Sequence, residues 1–267
     1  NMTQIPRPEH PQPQMKREHW KNLNGEWDFS FDFGCSGIDQ KWQEGKTDWE
    51  KKILVPFCPE RDLSGIGYKD FIPGIWYHRT ITLTGEELKG DLLLHFGAVD
   101  YDARVWINGV EAGRHQGGYV SFTFNITKLV KEGENDITLF AADDVRSGKQ
   151  PKGKQSHFFY SIGCDYTRTT GIWQTVWLEW VPESYIEKVQ YYPNLAEATL
   201  GIKAVVKGQG TLEAKAFYGG EPCGSVSAKS EGGTVTMTLP LSRLEKWEPG
   251  HGRLYDLTLT YLSLIHI

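Results

Sequence analysis

ARVWINGVEAGRH, residues 103–115, decides the fold: two short runs of strand-forming residues meet at Asn108-Gly109. An Asn-Gly pair between such runs marks a two-residue hairpin, because a type I′ turn needs positive φ at both central residues. Outward from it, period-two alternation recurs while helical periodicity is almost absent. IWYHRTITL (75–83) sets Ile75, Tyr77, Arg79, Ile81 and Leu83 on one side of a strand. Leu92–Phe96, Tyr119–Asn125, Ile137–Ala142 and Trp173–Trp180 read as further strands. Short strands separated by Gly, Asp and Asn turns imply an all-β chain, built as a β-sandwich or jelly roll.

The texture changes around Val181-Pro182-Glu183. Nine of the 10 Trp residues occur by position 180, and only Trp247 follows. Beyond that point the alternation is cleaner: Leu200, Ile202, Ala204, Val206; Leu212, Ala214, Ala216; Val235, Met237, Leu239, Leu241; Tyr255, Leu257, Leu259, Tyr261. This pattern suits a small immunoglobulin-like sandwich without the Cys–Trp–Cys signature. The expected division is therefore a jelly-roll domain at 1–182 and an immunoglobulin-like domain at 183–267. One stretch breaks the rhythm. Asp143–Asp165 (DDVRSGKQPKGKQSHFFYSIGCD) has no strand pattern, and long irregular loops in compact domains are usually functional or disordered. Its aromatic triplet, Phe158 to Tyr160, argues for docking against something.

Composition narrows the function classes. Lys plus Arg number 29 against 34 Asp plus Glu, a net charge of −5, with no basic run longer than two residues. That balance argues against nucleic acid as a partner. No apolar stretch approaches the roughly 18 residues of a membrane span, so no membrane partner is expected. Cys35, Cys58, Cys164 and Cys223 form no CxxC pair, and the 8 His show neither HxH nor HExxH spacing. Free, mostly buried thiols, no metal site and no cofactor are the expectation. Asn1–His19 is polar and Pro-rich without an apolar core, which leans towards the cytoplasm, although a trimmed leader would look the same.

A series of motifs in fixed order carries a family resemblance. Leu23-Asn24-Gly25-Glu26-Trp27-Asp28-Phe29 opens it, followed by Gly74-Ile75-Trp76-Tyr77-His78-Arg79. Leu94-His95-Phe96-Gly97-Ala98-Val99-Asp100-Tyr101 then leads to Val105-Trp106-Ile107-Asn108-Gly109. His115-Gln116-Gly117-Gly118-Tyr119, Phe124-Asn125-Ile126-Thr127 and Gly133-Glu134-Asn135 come next, and Arg168-Thr169-Thr170-Gly171-Ile172-Trp173 with Val176-Trp177-Leu178 closes the series. Together they resemble the N-terminal sugar-binding jelly roll of glycoside hydrolase family 2, which includes β-galactosidases, β-glucuronidases and β-mannosidases. The segment from 183 onward is similar to the family's immunoglobulin-like second domain.

The resemblance also implies what is missing. Family members continue into a TIM barrel carrying a Glu acid/base, within an Asn-Glu pair, and a Glu nucleophile. No Asn-Glu dipeptide occurs in the 267 residues. The tail Leu262–Ile267 departs from the family, so a truncation with a few foreign residues is expected there, and no catalytic residue is expected on this chain.

Retaining glycosidases use two carboxyls about 5–5.5 Å apart. Asp100 and Asp165 both fall at strand ends, where site residues concentrate, but so do turn-forming, solvated aspartates. The resemblance implies more. Asp100 falls where β-galactosidases place a short polar residue reaching towards the sugar pocket, and Asp165 where they contact sugar hydroxyls and, in some members, a monovalent cation. Arg168 is either a sugar ligand or a residue orienting Asp165 through a charge-assisted bond. The expected substrate-binding set is thus Asp165, Asp100 and Arg168, with no metal ligand.

Other candidates carry bland readings as well. Asp143-Asp144 suits turn chemistry better than a cation site. Trp20, Trp27, Trp42, Trp76 and Trp106 suit the core better than sugar stacking. Asn125-Ile126-Thr127 is formally a glycosylation sequon but suits a strand end, and His115 suits hairpin packing.

The leading expectation is an N-terminal accessory fragment of a retaining exo-β-glycosidase, inactive alone. Its partners would be a β-linked glycoside and a C-terminal catalytic barrel, with a homo-oligomer left open. A stand-alone carbohydrate-binding module, or a purely structural spacer, are the alternatives, since one sandwich hosts many functions.

Overall fold

The computed structural model describes residues 5–263, which are nearly all β, and the chain separates into two compact units, one ending at Trp180 and one beginning at Val181. The tail residues Leu264–Ile267 lie outside the described residues.

In the first unit the strands are β1 (Trp20–Asn22), β2 (Gly25–Phe31), β3 (Lys51–Val55), β4 (Gly74–Leu83), β5 (Asp91–Phe96) and β6 (Val99–Asp100). They are followed by β7 (Asp102–Ile107), β8 (Val110–Gln116), β9 (Phe122–Asn125), β10 (Gly133–Ala142), β11 (Gly171–Ile172) and β12 (Val176–Val181). A four-stranded sheet runs β1-β12-β5-β9 and a six-stranded sheet runs β3-β2-β4-β10-β7-β8, with β11 and β6 paired as a short ribbon. The pairs β1–β12, β5–β9 and β6–β11 and every neighbouring pair of the six-stranded sheet are antiparallel.

The core follows from the alternation. Ile75, Tyr77, Ile81 and Leu83 of β4 are buried with Leu92, Leu94 and Phe96 of β5 and with Ile137 and Leu139 of β10. Arg79, in the same row, is an exception that the pattern alone does not account for. Its guanidinium donates to the carbonyls of Leu23 and Asn24, at 2.5 and 3.1 Å, because a partly buried cation needs acceptors. The opposite face of the six-stranded sheet is covered too. Trp76 and Trp106 stack with centroids 5.4 Å apart, Phe140 packs beside them, and Ile38, Trp42 and Trp49 lie over this cluster. Trp27, Trp76 and Trp106 are therefore core residues. Trp20 meets His10 and Trp177 edge-on, and Trp42 lies beneath the Lys46 ammonium.

The hairpin β7–β8 turns at Asn108 (φ 52°) and Gly109 (φ 80°), both in the left-handed region the turn requires. The fully buried Asn135 secures it, accepting from Asn108 Nδ2 at 2.9 Å and from the Lys131 N–H at 2.9 Å while donating to the carbonyls of Lys131 and Gly133. Asn125 ends β9 as a local turn, accepting from the Thr127 N–H and hydroxyl and donating to Asp91. His115 stacks on Phe122 at 4.2 Å within the hairpin region.

The second unit has β13 (Tyr185–Asn194), β14 (Thr199–Lys207), β15 (Gly210–Tyr218), β16 (Glu221–Ser230), β17 (Gly233–Pro240) and β18 (Asp256–Ser263). Two three-stranded antiparallel sheets, β13-β14-β17 and β16-β15-β18, enclose Ile202, Ala204, Val206, Leu212, Ala214, Val235, Met237 and Leu239. The inward residues alternate along each strand, as a sandwich requires.

Candidate functional site

The segment between β10 and β11, residues 143–170, is pinned at both ends by buried polar contacts. At its start, Asp143 accepts from Gln150 Nε2 at 2.7 Å and from the Thr170 hydroxyl at 3.2 Å, and Gln150 Oε1 accepts the Asp144 N–H. Asp143-Asp144 thus acts as a clamp that closes the loop on itself. At its centre, Gln155 donates to Asp100 Oδ2 at 2.9 Å and accepts the Thr169 N–H at 2.8 Å. At its end, the Thr170 N–H reaches Glu60 Oε2 at 3.2 Å.

These contacts gather three carboxyls, Glu60, Asp100 and Asp143, at 0%, 2% and 6% exposure. Loss of hydration disfavours their charged forms. Burial, with the neighbouring Asp143 and Glu60, pushes Asp100 up to about 8. Burial raises Glu60 to about 7 against hydrogen bonds from Thr170. Burial raises Asp143 to about 6 against those from Gln150 and Thr170. The Cys58 thiol, beside Glu60, is pushed up to about 12 by burial. Glu60 Oε1 and Asp100 Oδ1 have no hydrogen-bond partner among the described residues. Gly118 closes the other side of Asp100: a Cβ there would lie 2.5 Å from the carboxyl carbon. Among the described residues no group of three or more His, Cys, Asp or Glu is arranged to hold a metal ion.

Arg168 is buried at 1% exposure and holds the loop from beneath. Its guanidinium donates to the carbonyls of Ser156 (3.1 Å), Phe158 (2.5 Å) and Lys69, and lies 4.0 Å over the Phe71 ring. The sequence reading had it orient Asp165 or touch sugar. The structure gives it backbone carbonyls instead, because a loop crossing the end of a sandwich leaves carbonyls that no sheet satisfies. The cation bonded to Asp165 is Lys152, whose Nζ lies 3.0 Å from Oδ2 and 2.7 Å from the Gln155 carbonyl.

Of the three residues singled out by sequence, Asp165 alone presents its side chain, at 23% exposure. Its Oδ1 has no partner among the described residues, so this carboxylate is aimed yet able to accept a further hydrogen bond. Asp100 and Arg168 are part of the packing that positions it. Around the aromatic triplet, Phe158, Phe159 and Tyr160 are exposed at 40%, 62% and 60%, as are Ile162 and Tyr166.

A separate cleft of about 810 Å³ runs along the four-stranded sheet, lined by His10, His95, Tyr119, Phe122, Trp173 and Trp177 among others. Trp173 is anchored there by its Nε1 donating to the Gly118 carbonyl at 2.7 Å. Sequence reasoning missed Glu60, Lys152, Gln155 and the cleft aromatics Tyr119 and Trp173. A signal was available only for Lys152, whose cationic neighbours crowd a loop ending in Asp165.

Comparison with known proteins extends this picture. β-Glucuronidase of Felis catus is 26% identical over 272 residues, covering 90% of this chain and 40% of that protein. The β-glucuronidase of Sus scrofa is 27% identical over 271 residues, with the same coverage of 90% and 40%. Among solved structures, an uncultured Clostridium sp. β-glucuronidase aligns with TM-score 0.70 at 22% identity, over 92% of this chain and 44% of that one. The Ruminococcus gnavus β-glucuronidase in complex with D-glucaro 1,5-lactone aligns with TM-score 0.70 at 19% identity, over 93% and 44%. Those structural likenesses carry the fold: two β-sandwiches in series. The chain spans about 40% of the length of these curated relatives. The family model described as "Glycosyl hydrolases family 2, sugar binding domain" matches residues 20–182, more than half the sequence, and this chain belongs to that family.

Proposed function

We propose that the chain is the N-terminal, non-catalytic portion of a retaining exo-β-glycosidase acting on β-linked glucuronides. Its loop 143–165 supplies one wall of the sugar site, the rest coming from a catalytic barrel. The observation that carries this reading is Asp165: a partly exposed carboxylate, aimed by Lys152, with one oxygen free to accept from a sugar hydroxyl. The relatives named β-glucuronidase support the substrate class. A hydroxyl-to-carboxylate bond that tightens as the ring flattens towards the oxocarbenium-like transition state raises kcat and not only affinity. Asp100, Gln155 and Arg168 act on substrate only through the position they give this loop.

The test is to read the coding sequence beyond Ile267, express the longer chain and assay it on p-nitrophenyl β-glucuronide. Asp165→Ala is expected to lower kcat/KM by about 10- to 100-fold, the size of a charge-assisted hydrogen bond. The 267-residue chain alone is expected to show no turnover. Hydrolysis by the purified chain, or an unaffected Asp165→Ala enzyme, would sink the reading.

A further inference from the structure

The same loop is also set apart by its charge. From Val145 to Cys164 there is no Asp or Glu, while Arg146, Lys149, Lys152, Lys154 and His157 all fall within it. In a chain of net charge −5, this is a local excess of positive charge. A recess of about 450 Å³ collects part of it, lined by Val145, Arg146, Gly148, Gln150, Lys152 and His157.

The groups around the recess differ in what they have left to offer. Gln150 is occupied at both ends of its amide, by Asp143 and by the Asp144 N–H. Lys152 is held by Asp165 and the Gln155 carbonyl. The buried carboxyl of Asp143 is tied to Gln150 and Thr170, and Asp144 is exposed. Arg146 is different. Its guanidinium carbon lies 4.0 Å from the centre of the Phe71 ring, which Arg168 also contacts at 4.0 Å, and it has no carboxylate partner among the described residues. The ring contact restricts the fork before any ligand arrives, and a guanidinium fork suits a planar or tetrahedral oxyanion. His157 is exposed, packs its ring on Phe158 at 4.2 Å, and has no hydrogen-bond partner among the described residues. Gly148, with φ 72°, has no atom within 4 Å of where a Cβ would stand, so that wall of the recess is open.

We infer that this recess, with Arg146 as its anchor and His157 and Lys152 beside it, binds an anionic group carried on a glycan. The group is a carboxylate or sulfate on the part of the substrate beyond the sugar that Asp165 holds. Lys152 links the two places, since it lines the recess and bonds Asp165. The inference rests on the glycosidase reading for the word "substrate", but the binding itself is a property of this chain. An oligosaccharide bearing such a group would be held at two points, and a neutral one of the same length at one.

The experiment titrates the isotopically labelled 267-residue chain with three probes, following backbone amide shifts by NMR. The probes are a trisaccharide of galacturonate, a sulfated galactose disaccharide that carries no carboxylate, and neutral maltotriose. Shifts at Arg146, Gly148, Lys152 and His157 are expected with a charged probe, at an affinity about tenfold or more above the neutral one. Which charged probe binds separates carboxylate from sulfate. Arg146→Ala, at an exposed position, is expected to abolish that preference while the rest of the amide spectrum stays in place. Arg146→Lys is expected to restore only part of it, because an ammonium does not reproduce the fork. No response to either charged probe, an equal response to maltotriose, or an undiminished preference in Arg146→Ala overturns the inference. None of these outcomes depends on turnover, so the glycosidase reading stands or falls separately.

Discussion

A solvated carboxyl releases its proton near pH 4, but Asp100 is buried with Asp143 and Glu60 nearby and keeps its proton up to about 8. Between those two values the folded chain binds a proton that the unfolded chain has released. The stability contributed by the neutral carboxyl is therefore complete below about pH 4 and is lost as pH rises through about 8. Glu60, raised to about 7, and Asp143, raised to about 6, act with the same sign. Asp100→Asn keeps an oxygen to accept from Gln155 and cannot ionise. The wild-type chain is expected to lose melting temperature between pH 5 and 8.5, and the Asn variant to lose less, by about 5 °C or more. Parallel melting curves across that range would refute the assignment. Among residues, this cluster was the least legible in the sequence. Glu60 lies 110 positions from Thr170, the partner it accepts from, and no periodicity announces a pairing made by the fold. Asp165 was singled out because it falls six residues before Gly171-Ile172, close to a recognisable motif.

Elements were read more easily where their causes are local. The β7–β8 hairpin follows from Asn108-Gly109, and the turn residues adopt the positive φ that the sequence asks for. Its anchor was not visible, because Asn135 is 27 positions away from Asn108 in sequence. Removing that side chain strands the Lys131 N–H and one Asn108 donor, both partly buried. Asn135→Ala is accordingly expected to cost about 2–3 kcal/mol in urea unfolding, more than most single hydrogen bonds. A loss under about 0.5 kcal/mol would show that water replaces it without cost. The loop 143–170 poses the opposite case, since its irregular sequence signalled importance but not conformation. Its shape comes from Arg168, whose three carbonyl contacts lie on two separate segments. Arg168→Lys keeps the charge but cannot span those carbonyls. Trypsin is expected to cut that variant after Lys149, Lys152 or Lys154 at least about tenfold faster than wild type, because local opening governs cleavage. Equal cutting rates would mean that the Asp143–Gln150 and Asp100–Gln155 contacts hold the loop without it.

At the scale of the whole molecule, the two units differ in the size of the residues that fill them. The first packs Trp27, Trp76, Trp106, Phe29 and Phe96; the second is filled by Ala204, Ala214, Met237 and Leu239 and their neighbours. That contrast is the drop in tryptophan visible in sequence around Val181, and it has a physical basis. A two-sided sheet covered by a further layer needs large side chains, whereas two three-stranded sheets closing face to face do not. The outer layer itself escaped the sequence reading, because alternation along β4 predicts one buried face, and Trp42 and Trp49 arrive from a loop to cover the other. Each core closes within its own unit, with no residue shared between the two clusters. A unit with its own core is a candidate for independent folding. A chain ending at Pro182 is therefore expected to give a single cooperative thermal transition and a near-ultraviolet circular dichroism signal retaining most of the parent's tryptophan bands. It should also keep the amide shifts of Arg146 and Lys152, since every contact that shapes the loop lies upstream of the cut. A broad melt with collapsed aromatic signal would show that the first sandwich depends on residues after 182, and the loop 143–170 would then have to be studied only in the longer chain.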